Sequence, residues 1–552
     1  MSPALIIQRL FDWRYGASNR LIARWLFLRA LGLIYFSAFY ALLFQIRGLI
    51  GNDGILPATE YLEAVAHSYG PARFWFVPSL LWLSTGNAWL MAVCWIGLLA
   101  SVLLVFNLWP RGMLVVCFVC FLAFVSAAGD FSGYQSDGML LEAGFIAWFF
   151  ASPGFRPGWG ETHPASRASL FLLQWEWFRI YFESGVVKLA SGDPQWRNWT
   201  AMDQYYQNGP LPTWIGYYVQ HLPHWFHAST VFITFAVELG IVWMMFLPRR
   251  WRLICFVIVT ALQAGIILTA NYAFLNYLVL SLGILLLDDG YLMRVLPRSW
   301  RSKFEATAKI AAAQLPQLAQ PRAEPVLSIV DAPPSPPLPQ KLMPARHFSA
   351  WKLALTSVLL SWIFYSTTVQ LLWMLSPRLP LPTAPVAALD PFRIANRYGL
   401  FAVMTRGRYE IEFQGSNDGQ NWTPYPFRYK PQDPSKAPGI YAPYQPRFDW
   451  NLWFASLGSW RDNPIVPSTE ERLLSNSHDV LQLFAGNPFA SAPPKQVRAV
   501  LWQYWFTTLA EKRSTGTWWR RELMGLYAPV LQLGPDGKLQ VVQWPAPLPP
   551  HG

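Results

Sequence analysis

Apolar residues fall in blocks of spanning or near-spanning length over 28–47, 87–109, 112–128, 137–152, 169–190, 229–247, 252–270, 272–287 and 353–375. A hydrocarbon core of ~30 Å takes about 20 helical residues to cross, so these blocks predict about nine membrane helices, with 137–152 and 272–287 short for the task. The block over 169–190 is the most informative. It runs into QWEWFRIYFESGVVKLASGDPQWRNW, and it carries Glu176, Arg179, Glu183 and Lys188. A charge at the centre of a spanning helix costs roughly 2.5–3.5 kcal/mol, whereas each Leu, Ile or Phe returns only about 0.3–0.6 kcal/mol. Such a helix is stable only if its charged face meets partners in a bundle, a cavity or the interface. Glu176, Arg179 and Glu183 stand at i, i+3 and i+7, on one helical face. Glu142 and Glu238 are further acids inside apolar blocks, and a polar network joining them to Arg179 or Lys188 is expected. A clamp holding the bundle is the first reading of that network. A transporter or a bare scaffold is a competing one, although no paired Gly- or Pro-broken helices announce a transporter repeat.

Beyond the last apolar block the pattern changes. RYEIEFQGS alternates Tyr409, Ile411 and Phe413 against Glu410, Glu412 and Gln414 before Asn417, Asp418 and Gly419, which predicts a strand and hairpin. Aromatic runs over 448–457 and 498–508, punctuated by Pro, extend this to a mainly β region with a few helices, one around 469–485. Arg447 and Asp449 flank Phe448 and would point the same way on a strand, as a surface or interdomain ion pair. The stretch 304–345 turns to Ala, Gln and Pro, with APPSPPLPQ at its centre, and reads as a flexible linker. The organisation expected is thus a polytopic α-helical membrane domain over 1–300, a linker over 301–350, a last span over 351–380 and a mainly β extracytoplasmic domain over 386–545. The intervening loop 191–228 is rich in Trp, Tyr and His; an interfacial aromatic belt is its first reading, and a contact surface for the β region or a client its second.

Composition narrows the class. With 53% hydrophobic and 13% charged residues the chain is too apolar for an ordinary soluble protein. Its net charge of +12 flanks apolar blocks, so membrane lipid, not nucleic acid, is the expected contact. Arg9, Arg14, Arg20, Arg24 and Arg29 share a side with Arg111, Arg156, Arg167, Arg249, Arg250 and Arg252, whereas the opposite loops hold chiefly Arg47, Arg73 and Arg197. The positive-inside rule then places the N-terminus inside and the C-terminus outside. The first apolar block reads as a retained anchor. Cys94, Cys117, Cys120 and Cys255 all lie in apolar blocks, so they read as small buried hydrophobes and no disulfide is expected in the soluble parts. His221, His224 and His227 recur at a spacing of three, but Pro223 interrupts the helix a metal site would need; no metal and no cofactor are expected.

Several separated strings carry a resemblance: Asn396-Arg397-Tyr398-Gly399, Lys430-Pro431, Arg447-Phe448-Asp449-Trp450 with Trp453, Asn487-Pro488-Phe489, Pro493-Pro494, Trp518-Trp519-Arg520 and, further back, Leu141-Glu142-Ala143-Gly144. In this order they resemble the lipase maturation factor family of membrane proteins. The resemblance implies a fold-assisting role toward secreted clients such as lipases, with no catalytic residue. The client or interface candidates are then Asn396, Arg397, Tyr398, Arg447, Asp449, Trp450, Trp453, Asn487, Pro488, Phe489, Trp518 and Trp519. It also implies either a bacterial inner membrane with the β domain in the periplasm or, in a eukaryote, the endoplasmic reticulum membrane. A second resemblance covers only Ser184-Gly185-Val186-Val187-Lys188-Leu189, Trp196 and Glu238-Leu239, and is to the membrane domain of vitamin K-dependent gamma-carboxylases. It implies the alternative of a membrane enzyme acting on a quinone or lipid substrate, with Lys188 as its base.

Overall fold

The structure, a computed structural model, describes residues 2–307 and 350–549. Among them six helices are long and apolar enough to cross a membrane: Ser18–Leu43, Asn87–Val105, Pro110–Ala127, His224–Phe246, Arg249–Thr269 and Ala350–Leu375. The other three expected spans differ in kind. Gln135–Phe150 has only 16 residues, Leu275–Leu286 is likewise short, and Arg167–Ala190 has 24 residues but carries the charges. Arg249–Thr269 leaves Ile254, Val257 and Leu268 exposed, and Ala350–Leu375 leaves Leu355, Val358 and Phe364 exposed. Apolar faces of that extent suit a hydrocarbon surrounding. The expected linker lies, over 308–349, outside the described residues.

The charged helix Arg167–Ala190 sits inside the bundle, against Gln135–Phe150, Leu275–Gly283, Ala350–Leu375 and the N-terminal helix Pro3–Phe11. Ser166 caps its start by accepting a hydrogen bond from the Ser169 amide at 3.2 Å. Gly192, just past its end, has φ +73°, a left-handed conformation that stops a helix. Against Gln135–Phe150 packs the first long helix, where Tyr35 donates to the Leu140 carbonyl at 3.1 Å. A Cβ at Gly144 would meet that hydroxyl at 2.0 Å, so the close approach requires glycine.

The C-terminal region is built on one antiparallel sheet of β1 (Arg408–Ser416), β2 (Thr423–Pro424), β3 (Gln496–Phe506), β4 (Trp519–Leu526), β5 (Val530–Leu533) and β6 (Leu539–Gln543). The order is β2-β1-β3-β5-β6, with β4 also paired to β3. β1 faces β3 along its whole length, Arg408 opposite Tyr504 and Ser416 opposite Gln496. Every residue of β1 is buried, its polar face included. There Glu410 pairs with Arg408 and, at 2.9 Å, with Lys430, and Glu412 pairs with Arg521 at 3.2 Å.

One expectation is corrected. Arg447 and Asp449 do not share the face of a strand: Pro446 opens a helix over Arg447–Ala455, where residues two apart point to different sides. The loop 191–228 divides between both of its readings. Short helices Pro194–Arg197, Tyr205–Asn208 and Trp214–Gln220 bury Trp196, Tyr206 and Tyr217, whereas Trp199, Trp214, Tyr218 and Trp225 stay exposed. Two of the buried ones face the C-terminal region: Trp196 Nε1 donates to the Phe401 carbonyl at 2.9 Å, and the Tyr217 hydroxyl to the Thr507 carbonyl at 3.0 Å.

Candidate functional site

The charged helix turns its polar face to the segment 396–399 that leads into the sheet region. Arg179, fully buried, pairs with Glu142 on the neighbouring helix, lies 3.8 Å from Glu183, and donates to the Asn396 carbonyl at 2.6 Å. Glu142 in turn accepts from the Asn396 amide at 2.8 Å and from its side chain at 3.2 Å. Glu183 accepts from the Tyr398 amide at 2.6 Å, and Gln135 from the Gly399 amide at 2.8 Å. Two strings separated by some 250 residues of chain, around Glu142 and around Asn396, thus form one locus. Each carboxylate has a guanidinium or amide donor, the condition under which buried charge is tolerated. Glu176 is fully buried nearby, and neither of its oxygens has a hydrogen-bond partner among the described residues.

Lys188 lies apart from this cluster. Its ammonium donates to both Glu238 oxygens at 2.8 Å and sits 5.3 Å from the centre of the Trp196 ring. Glu238 stands on a π-helical turn, Ala236–Gly240, inside the span His224–Phe246. Lys188 is 4% exposed, and its partner Glu238 comes from another helix, not from its own.

A second lock uses Arg447. Its guanidinium grips Asp137 through two hydrogen bonds, at 2.7 and 2.9 Å, and also donates to the Phe131 carbonyl at 2.7 Å. Asp449 faces the other way and accepts from the Lys430 amide at 3.2 Å. Burial pushes its carboxyl up to about 6, against that hydrogen bond and the Lys430 charge. Gln45 accepts from the Phe448 amide at 3.4 Å and donates to the Gln445 carbonyl at 2.9 Å; Asn271 accepts from the Tyr441 amide at 2.7 Å. Asp137, Gln45 and Asn271 were not singled out from sequence, although the rule that flags Glu142, a polar side chain in or beside an apolar block, applies to each.

The remaining candidates are scattered. Tyr398, Trp450, Trp453 and Trp519 are buried, Trp519 against Phe506 at 4.5 Å between ring centres. Trp518 packs on Tyr217 of the outer loop at 4.9 Å. Asn487 caps a turn by accepting from the Phe489 amide at 2.9 Å, Phe489 packs on Tyr425, and Pro488 and Arg397 are exposed. His221 contacts the Thr507 carbonyl, His224 pairs with Asp203, and His227 is buried beside Tyr206. No group of three or more His, Cys, Asp or Glu that could hold a metal occurs among the described residues.

A bundle of membrane helices with a sheet region fixed to it through a buried ion pair and buried hydrogen bonds defines a multi-pass membrane protein with a docked C-terminal domain. Comparison supplies the family. The model of the lipase maturation factor transmembrane domain matches residues 22–294, and that of the lipase maturation factor C-terminal domain matches 394–529. Lipase maturation factor 2 of Gallus gallus is 33% identical over 584 residues, covering 93% of this chain and 81% of that one. Lipase maturation factor 1 of Bos taurus is 29% identical over 553 residues, covering 97% and 94%; lipase maturation factor 2 of Homo sapiens is 31% identical, covering 94% and 84%. The chain belongs to the lipase maturation factor family. No solved structure matches it.

Proposed function

We propose that this chain assists the folding of secreted proteins, lipases among them, by holding partly folded clients on its C-terminal domain. Family membership supports the role. The observation that carries the mechanism is the outer edge of the sheet: β6 ends the strand order, all of its residues are exposed, and Leu539, Val541 and Val542 stand there with Trp544 just beyond. An exposed apolar edge with unpaired backbone groups is a template for a strand of another chain, and an unfolded client offers such strands. The strings carrying the family resemblance then have a different part, since their buried members fix the domain to the bundle.

We read the three short or charged helices as completing about nine spans, with the N-terminus inside and the domain outside, as the arginine distribution indicates. That places residues 386–545 in the periplasm of a bacterium or the lumen of the endoplasmic reticulum, beyond the membrane domain 1–300, the linker 301–350 and the last span 351–380.

The test is co-production with a secreted lipase, reading enzyme activity per unit of lipase antigen. The full chain raises that ratio and Val541→Asp with Val542→Asp lowers it. Equal activity with and without the chain overturns the role for that client; full activity of the doubly substituted chain overturns the edge.

A further inference from the structure

A cavity of about 390 Å³ lies where the two parts of the chain meet. One wall is Tyr134 and Tyr272, at the starts of two helices of the bundle; the opposite wall is Trp450, Trp453 and Phe454 on the soluble helix. The segment 400–405 closes it, and no charged side chain is among the described residues that line it. The volume is in the ~300–1,000 Å³ range of small-molecule sites. Two observations indicate a built wall. Phe401 holds φ +60°, an unfavourable conformation for a residue with a side chain. It is kept there by neighbours on both sides: Trp196 Nε1 on the Phe401 carbonyl, the Met404 amide on Asp193 at 2.7 Å, and Asn208 on the Thr405 carbonyl at 2.9 Å. Val403 and Phe454, which also line the cavity, are 68% and 45% exposed, so large apolar groups mark its mouth.

We infer that this cavity takes up one acyl chain of a neutral lipid of the diacylglycerol class, the second chain staying in the bilayer. A charge-free lining disfavours burying a phosphate or carboxylate head. A peptide brings a backbone N–H and C=O at almost every residue, more than the few polar groups of this wall can pair. An acyl chain makes no such demand, and the few neutral polar groups on the wall, the tyrosine hydroxyls among them, suit an ester carbonyl or a hydroxyl. The walls begin where membrane helices begin, so the surrounding bilayer supplies the ligand. This site is distinct from the sheet edge proposed for clients, and the two are tested separately.

The full chain in phospholipid nanodiscs is illuminated with a diacylglycerol carrying a diazirine on its acyl chain, and labelled residues are mapped. Label falls on 400–405 and 453–457, is competed by excess dioleoylglycerol but not by phosphatidylcholine, and drops about tenfold in Val403→Asp, where a charge stands at the mouth. Phe454→Asp is the second variant should Val403→Asp fail to fold. Label confined to lipid-facing helices such as Arg249–Thr269, or unchanged in a folded mouth variant, overturns the inference. So does competition by an apolar peptide without competition by dioleoylglycerol.

Discussion

Replacing Arg447 by methionine isolates the contribution of one interdomain ion pair. Arg447 is 3% and Asp137 0% exposed, and both oxygens of Asp137 are occupied by the guanidinium. Arg447→Met keeps the apolar stem but leaves a carboxylate buried without a counter-charge. Breaking a buried pair in this way costs roughly 3–5 kcal/mol, whereas replacing both partners by apolar groups is often neutral. At about 1.4 kcal/mol per decade, the single change shifts the docked-to-undocked ratio by a factor of at least 100. Asp137→Leu leaves Arg447 with the Phe131 carbonyl and the face of Tyr134 but no counter-charge, and costs a comparable amount. The double variant recovers most of the loss, so the coupling between the two sites is large and favourable. The assay is thermal unfolding of the detergent-purified chain, read by tryptophan fluorescence, alongside limited proteolysis of the connecting segment 376–395. Additive single effects, or a cost below about 1 kcal/mol for Arg447→Met, would refute the reasoning.

Other expected outcomes follow from the same geometry. Burial raises the Asp449 carboxyl from 3.8 to about 6, so the folded chain binds this proton more tightly than the unfolded one. The ionised form is therefore a cost above that pH, and stability from this group rises as pH falls from ~7 toward ~4, by at most about 3 kcal/mol; Asp449→Asn flattens that part of the profile in chemical unfolding across pH. Gly144→Ala drives a methyl into the Tyr35 hydroxyl and costs about 1–3 kcal/mol in thermal unfolding, and adding Tyr35→Phe recovers part of it. Lys188→Met strands Glu238 and lowers the yield of folded protein, while Lys188→Met with Glu238→Leu restores both yield and secreted lipase activity; a well-folded double variant without that activity would give Lys188 a role beyond pairing.

The hydrophobic blocks were legible because a spanning helix announces itself by length alone. The sheet was legible at β1, where Tyr409, Ile411 and Phe413 keep strict alternation. Arg447–Ala455 was not, because RFDWNLWFA is as aromatic as a strand and its helix is decided by Pro446 and by packing against the bundle. The charged face of Arg167–Ala190 told which residues need partners and not which partners they find. Arg179 is satisfied partly by backbone of residue 396, and backbone groups leave no mark in a sequence. Lys188 illustrates the same limit: the sequence offered Glu142 and Glu238 to Arg179 or Lys188 without assigning them, and the fold pairs Lys188 with Glu238 from the π-helical turn at 236–240.

These contacts make the two parts of the chain mutually dependent in a specific sense. The bundle contains acids that hydrocarbon cannot accommodate, and part of what accommodates them comes from residues 396–399 of the C-terminal region. Hydrogen bonds to charged groups are worth about 1.5–3 kcal/mol each, so the amides of Asn396 and Tyr398 together offset a substantial share of placing Glu142 and Glu183 in the bundle. The sheet region, for its part, rests on Asp137, Gln45 and Asn271 of the bundle. A domain held in this way cannot swing freely from the last membrane helix. Its exposed β6 edge is then held in one place relative to the bundle, as the strand template proposed for a client would require.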